Sequence, residues 1–413
     1  MSDIGYSVAD NLPPHLLWEI LTRLTCMKSA MRCKAVCKSW LSVILSPQFM
    51  GRLLRKHVYG KNHEAINMSP LPPFGLVIRP NLFGTSKGQL LYPKNMKFGL
   101  LGHFLPNLFS TITSDDGPQV KVTATCNDMI LCEEDRFKQS DRMYICNART
   151  RKWIALPRPG RSYRRFFVGF ACDPYNCKDD EQVMEYSVVM VNCEDRGYVK
   201  NPFQFEIQIF SSLIGKWKEF TLSLPKSFKT CFSCCSLFND GMLYFYDSCF
   251  GMIAFDPKIS DNEKEKGDDK LSIACHFIDW PLDFVTNALE MDMTACLCQG
   301  NLRLIQKKGA LLSVWDLKDH GTSEWQVKYK VVLVDRDSHD FSRFLFAWNG
   351  PLSLLGFQPL DDVTLYICLN DKIVTCNLKT VRLGAVFTIP DESKTFLPNC
   401  RSFDIFRPFW ISL

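Results

Sequence analysis

Residues 11–50 read NLPPHLLWEILTRLTCMKSAMRCKAVCKSWLSVILSPQFM, a stretch with helical period at the front of a chain that later alternates like strands. Leu12-Pro13-Pro14 opens it. Proline suits a first helical turn because the N–H it lacks would have no intrahelical partner there. Leu16, Leu17, Ile20, Leu21 and Leu24 follow at i, i+1, i+4, i+5 and i+8. They make one apolar stripe roughly 140° wide, with His15, Glu19, Thr22 and Arg23 on the other side. A second helical pattern runs from Lys28 to about Ile44, carrying Cys33, Cys37, Leu41 and Ile44 with Val36 and Trp40 beside them. Ser46-Pro47 ends it, and Phe49, Leu53 and Leu54 suggest one more short helix. A hairpin this apolar needs something to cover it.

Outward from this stretch, the bulk numbers narrow the options. With 46% hydrophobic and 23% charged residues, the 413-residue chain has the balance of a soluble globular protein. It is long enough for a small module and a large domain. No apolar run approaches the ~20 residues that a membrane span needs, and no secretory signal is legible at the start, so no membrane association is expected. The 19 cysteines are odd in number and scattered through apolar strands, which suits free thiols in the cytoplasm or nucleus. Residues 1–60 carry eight lysines and arginines against Asp3, Asp10 and Glu19, a surplus of five that equals the net charge of the whole chain. That basic front end suits an acidic protein partner, and nothing further points to nucleic acid.

The order Leu12-Pro13…Ile20-Leu21…Leu24…Val36-Cys37-Lys38-Ser39-Trp40…Ile44…Ser46-Pro47…Phe49 resembles the F-box. This is the three-helix module that docks on the Skp-family adaptor of cullin ubiquitin ligases. One departure is visible: family members usually read Arg-Leu-Pro where this chain has Arg23-Leu24-Thr25. The resemblance places the module at residues 8–55, followed by a polar, proline-bearing linker at 56–74. It also implies that Leu12, Pro13, Leu16, Leu17, Ile20, Leu21, Leu24, Val36, Trp40 and Ile44 serve adaptor binding.

Residues 75–413 read as short strands. Leading strands begin at turns: Gly88–Tyr92, Asn127–Leu131, Asp240–Tyr244, Gln299–Leu304 and, more loosely, Asp361–Tyr366. Following strands end near a tryptophan or a proline, as Lys152-Trp153 with Leu156-Pro157, Lys216-Trp217 with Leu224-Pro225, and Glu324-Trp325. Ile145, Ile209, Ala254, Val314 and Val374 mark this second series, at spacings of 64, 45, 60 and 60. A multi-strand repeat of roughly 40 to 60 residues indicates propeller blades, because one four-stranded sheet cannot bury both faces alone. The kelch double glycine is absent, yet the body resembles the kelch-like domain of plant F-box proteins. The expectation is multidomain α+β: a small helical module and a degenerate all-β propeller of six blades, closed by a strand from Arg401–Leu413.

The apparent chemical motifs dissolve on inspection. Gly84-Thr85-Ser86-Lys87-Gly88 has the spacing of a nucleophile elbow, but a strand and a proline follow where that motif needs a helix. Cys231-Phe232-Ser233-Cys234 has no second pair, and the close pair Cys296/Cys298 suits buried thiols, so no metal or cofactor is expected. Ser338-His339-Asp340 are adjacent, so on a strand they point to opposite faces and cannot converge. No catalytic residues are assigned. One segment is chemically distinctive: Arg149 to Arg165 carries seven basic residues and no acid. Within it Arg158, Arg161, Tyr163, Arg164 and Arg165 form a candidate client-binding patch, since arginine with aromatics suits an interface.

The resemblance thus implies a non-catalytic substrate receptor of a Skp–cullin–F-box ligase, binding the adaptor, through it a cullin, and an unidentified client. The alternatives are an F-box scaffold without ligase activity, and a propeller enzyme or small-molecule sensor.

Overall fold

The computed structural model describes residues 14–23, 32–45, 75–79, 89–91, 120–126, 129–134, 142–147, 152–161, 163, 166–173, 185–192, 203–226, 235–247, 251–259, 272–284, 291–298, 300–333, 352–357, 362–369, 372–388 and 402–406. Contacts divide the chain into two compact units, Met1–Leu71 with Asp173–Tyr186, and Pro72–Cys172 with Ser187–Leu413. The first unit contains the helices α1 (Pro14–Arg23) and α2 (Lys38–Leu45). The single helix expected from Lys28 to Ile44 is broken. Cys33–Ala35 form a 3-10 turn, with Val36 N–H bonded to Cys33 O at 3.1 Å. Helix α2 then starts afresh, with Leu41 N–H on Cys37 O at 3.0 Å. The β-branched Val36 sits at the break, where stiff side chains cost least. The short helix expected around Phe49 and Leu53 lies outside the described residues, and no described helix is long and apolar enough to cross a membrane.

In the second unit the strands run β1 (Gly75–Arg79), β2 (Gln89–Leu91), β3 (Val120–Cys126), β4 (Met129–Glu134), β5 (Met143–Asn147), β6 (Lys152–Ala155), β7 (Phe166–Asp173) and β8 (Glu185–Asn192). They continue as β9 (Gln204–Ser211), β10 (Lys216–Ser223), β11 (Cys235–Asn239), β12 (Met242–Asp247), β13 (Gly251–Phe255), β14 (Ser272–Ala274), β15 (His276–Ile278) and β16 (Met291–Cys298). The last are β17 (Asn301–Lys308), β18 (Leu311–Asp319), β19 (Glu324–Val332), β20 (Leu352–Phe357), β21 (Thr364–Leu369), β22 (Lys372–Asn377), β23 (Arg382–Thr388) and β24 (Ser402–Phe406). Five of the sheets are blades: β3-β4-β5-β6, β7-β8-β9-β10-β14, β11-β12-β13-β15, β16-β17-β18-β19 and β20-β21-β22-β23. A three-stranded sheet, β2-β1-β24, accompanies them.

Five blades therefore form where six were expected. The five marks Ile145, Ile209, Ala254, Val314 and Val374 each fall in the third strand of one blade. The surplus came from Gly88–Tyr92, which contains β2 and so belongs to the three-stranded sheet. The expected closure by the tail is present: β24 runs antiparallel to β1, with Gly75 opposite Phe406 and Arg79 opposite Ser402. β24 also lies against β20 and β3, so it joins the last blade to the first.

Period-2 alternation explains how each blade buries both faces. In β12, Leu243 and Phe245 enter a cluster with Val189, Ile207, Ile209 and Phe220 of the preceding blade. Their neighbours Tyr244 and Tyr246 enter another with Leu302, Leu304 and Trp315 of the next. In the following blade Ile305 and Val314 turn away to meet Leu354, Leu365 and Ile367. Full burial of one such side chain contributes roughly 1.5–3 kcal/mol. The clusters make neighbouring blades mutually dependent.

The outer strands explain the recurring tryptophan. Trp217 on β10 donates its indole N–H to Pro157 O at 2.7 Å, in the segment leaving the blade before it. Trp325 on β19 does the same to Asp279 O at 2.7 Å. The hairpin turn Asp240-Gly241 joins β11 to β12 with both residues at positive φ, 50° and 82°, the twist-matched turn that favours Asp-Gly.

Candidate partner-binding surfaces

The helical stripe divides into two rows. Leu17 and Leu21 are fully buried, as is Ile44 on α2, while α1 packs on α2. Leu16 and Ile20, one position earlier in each turn, remain 45% and 43% exposed. Val36 at the helix break and Leu41 on α2 are also exposed, and Trp40 is half-buried. A stripe wider than one packing contact can cover has this outcome: one row forms the module's interior and the other faces outward. Of the residues expected to touch an adaptor, Leu17, Leu21 and Ile44 are thus interior. Leu12, Pro13 and Leu24 lie outside the described residues. On the polar side Arg23 and Glu19 form an exposed i,i+4 pair at 2.8 Å, worth a few tenths of a kcal/mol at most.

The basic segment is less free than its composition implies. Tyr163 is buried at 6% exposure, and burial pushes its hydroxyl above the ordinary tyrosine range. Arg161 reaches Glu219 at 3.2 Å and Glu206 at 3.8 Å. Its backbone N–H donates to Gln208 Oε1 at 3.1 Å, and Gln208 Nε2 returns a bond to Arg161 O at 2.8 Å. Gln208 is wholly buried on β9, so the segment is stitched to the second blade. Tyr163 is therefore interior, whereas Arg161 is exposed but already engaged by two carboxylates. Arg158 is exposed, and Arg164 and Arg165 lie outside the described residues. Gln208, Glu206 and Glu219 were not singled out in the sequence; 47 residues separate Gln208 from Arg161, and no local pattern signals the pairing.

Most of the described strand cysteines are buried. Cys296 and Cys298 sit in the apolar cluster between the fourth and fifth blades. No group of three or more metal-ligating side chains exists among the described residues. Gly84–Gly88, Cys231, Cys234 and Ser338–Asp340 lie outside them. The most buried charge pair is Arg303 with Asp316, Nε to Oδ1 at 2.6 Å and Nη2 to Oδ2 at 3.2 Å.

One chain thus carries a small helical module with an exposed apolar row and a β-propeller. Comparison with known proteins agrees. Residues 59–401 match the family model of the At3g26010-like F-box protein β-propeller, and residues 9–56 match the F-box-like model. The chain belongs to this family of F-box proteins. It is 24% identical to the F-box/kelch-repeat protein At1g15680 of Arabidopsis thaliana, over 90% of this chain and 82% of that one. It is 23% identical to the Arabidopsis thaliana F-box protein At5g49610, over 76% of this chain and 77% of that one. Among solved structures, a chain of the nidogen/laminin complex aligns with a TM-score of 0.39 at 8% identity, covering 81% of this chain and 98% of that chain.

Proposed function

We propose that this protein is the substrate-recognition subunit of a Skp–cullin–F-box ubiquitin ligase, acting by binding and orientation and not by covalent chemistry of its own. The observation that carries the reading is the exposed row Leu16 and Ile20 on a segment that matches the F-box. That row, extended by Leu12, Pro13, Leu24, Val36 and Trp40, lies on the Skp-family adaptor in a helix-packing mode. Leu17, Leu21 and Ile44 serve it from beneath by holding α1 and α2 together. The propeller holds a client protein, with Arg158, Arg164 and Arg165 contributing cations to the contact. Raised local concentration near the ubiquitin-charged enzyme is the catalytic contribution. The site of action is the cytoplasm, the nucleus or both.

Co-purification with a Skp-family adaptor tests the first step. The intact chain captures the adaptor, and the double change Leu16→Asp with Ile20→Asp weakens capture by roughly tenfold per residue or more. Failure of the intact chain to capture any Skp-family adaptor overturns the proposal. Adding a cullin and following ubiquitylation of co-purified proteins separates a ligase receptor from a scaffold.

A further inference from the structure

Outer strands of sheets present unpaired backbone groups, and proteins usually blunt them. Here most blades do so. In the second blade β14 lies along β10 in parallel, Thr221 opposite Ser272, and covers its edge. In the fourth, β19 is bulged near Trp315 and its cations Lys328 and Lys330 are held by Asp362 and Asp283. In the fifth, β23 is bulged between Val374 and Cys376 of its partner strand. In the third, β15 has only three residues.

The first blade is different. Among the described strands β6 is its terminal one, and its pairing with β5 is regular: Tyr144 opposite Ala155, Ile145 opposite Ile154, Cys146 opposite Trp153. Leu156 N–H donates to Met143 O at 2.8 Å, which fixes the phase of the ladder. In an antiparallel pair the bonded positions alternate. Ile154 therefore exchanges its bonds with β5, and the N–H and C=O of Trp153 and Ala155 point away from it. Trp153, Ile154 and Ala155 are three consecutive exposed residues, the first two at 39% and 48%. Trp153 rests edge-on against Tyr144 at 5.7 Å, and its indole N–H, unlike those of Trp217 and Trp325, has no partner among the described residues. The strand is held still from behind, because Leu156 is buried and Pro157 O is bound by Trp217.

Exposed cations lie along this edge, while Glu134, which accepts the Tyr144 hydroxyl behind it, is buried. Arg142 and Arg158 are exposed at the start of β5 and just beyond β6, and no acid occurs from Arg149 to Arg165. Arg161 is already neutralised by Glu206 and Glu219. We infer that the outer edge of the first blade captures an extended, acidic segment of a partner protein by strand addition, main chain to main chain along Trp153–Ala155, with Trp153 beside it on one face of the sheet, Ile154 on the other, and Arg142 and Arg158 meeting its carboxylates. This deepens the receptor reading by giving the chemistry of what the propeller holds.

The test uses the full chain and a fluorescein-labelled decapeptide of alternating glutamate and valine, read by anisotropy without any adaptor. Three comparisons accompany it: the same peptide N-methylated at every second residue, a lysine–valine peptide, and the protein variant Ala155→Pro. Proline is tolerated on an edge strand where its missing N–H would face outward, and circular dichroism checks that the variant folds. The glutamate–valine peptide binds, and binding falls about tenfold or more with N-methylation, with Ala155→Pro and with lysine in place of glutamate, as expected when several main-chain bonds and two charge contacts are removed. No binding overturns the inference, as does equal binding of the N-methylated or the lysine peptide, or unchanged binding by folded Ala155→Pro. Adaptor capture by the same preparation reports separately on the helical module, so either reading can fail alone.

Discussion

Changing Asp316 to alanine leaves the guanidinium of Arg303 without a counter-ion inside the fourth blade. Arg303 is 1% exposed, and Asp316 grips it with two bonds, at 2.6 and 3.2 Å. Among the described residues its remaining polar and ring contacts are Asp362 O at 3.3 Å and the face of Phe357, 4.4 Å from the ring centroid. One carbonyl and one ring cannot replace a carboxylate, and removing one member of a buried pair costs about 3–5 kcal/mol. Replacing both at once, Arg303→Met with Asp316→Leu, removes the desolvation problem together with the attraction. That double variant is expected within ~1 kcal/mol of the parent, so the two changes are strongly non-additive. The pair Lys328–Asp362, 3.2 Å apart and partly exposed, supplies the contrast: Lys328→Ala costs no more than ~1 kcal/mol. Urea denaturation of the full chain followed by circular dichroism measures the parent, these three variants and the single changes Arg303→Met and Asp316→Leu. The reasoning is refuted if Asp316→Ala is no worse than Lys328→Ala, or if the double variant costs the sum of its parts.

Gly169→Ala places a Cβ 2.5 Å from Phe245 and 2.6 Å from Leu243, both fully buried in the next blade, so about 1–3 kcal/mol of destabilisation is expected in the same assay. Leu17→Ala opens the module's interior and lowers helical stability by about 2–5 kcal/mol, whereas Leu16→Ala leaves helicity intact and weakens adaptor capture; reversed results would mean the two rows are wrongly assigned. Tyr244 bonds His320 Nδ1 at 2.8 Å, and burial, with Asp240 adding, holds its hydroxyl well above the ordinary range. The unfolded chain therefore loses this proton first, so stability is level below pH ~10 and declines above it. Tyr244→Phe makes that alkaline decline shallower, which a denaturation series across pH 8–11 would reveal.

Much of the architecture was legible because third strands carry a repeated signature. Ile145, Ile209, Ala254, Val314 and Val374 are buried or flanked by burial on both faces, and each precedes a turn and an outer strand with its own punctuation. The first strands were harder to see. β11 and β20 are short, largely apolar runs, whose composition a buried helix could share. The sixth blade was overcounted because Gly88–Tyr92 has the turn-then-strand pattern of a blade's second strand, although β2 pairs with β1 and β24 belongs to the far end of the chain. At the candidate surfaces, the apolar stripe was plain but its division into rows was not, because periodicity gives an angle and not the width of the covering helix. The ion pairs of Arg161 are not legible in its own segment, because its partners Glu206 and Glu219 lie on strands of another blade.

The pairing of β24 with β1 has a consequence for synthesis. β1 and β2 emerge from the ribosome before any blade, and β24 only after all five have been made. Until then the hairpin carries a bare backbone edge, and the first and fifth blades lack the strand that lies between them. A nascent chain is thus an open arc, vulnerable to chaperones and proteases until Ser402–Phe406 arrives, and a premature stop before that point leaves the arc open for good. Moving the closure elsewhere should relieve this. A circular permutant that begins at β3, with β24 and β1 joined through a linker, is expected to gain protease resistance earlier in synthesis than the natural order, and equal timing in a translation-arrest series would argue against an open arc.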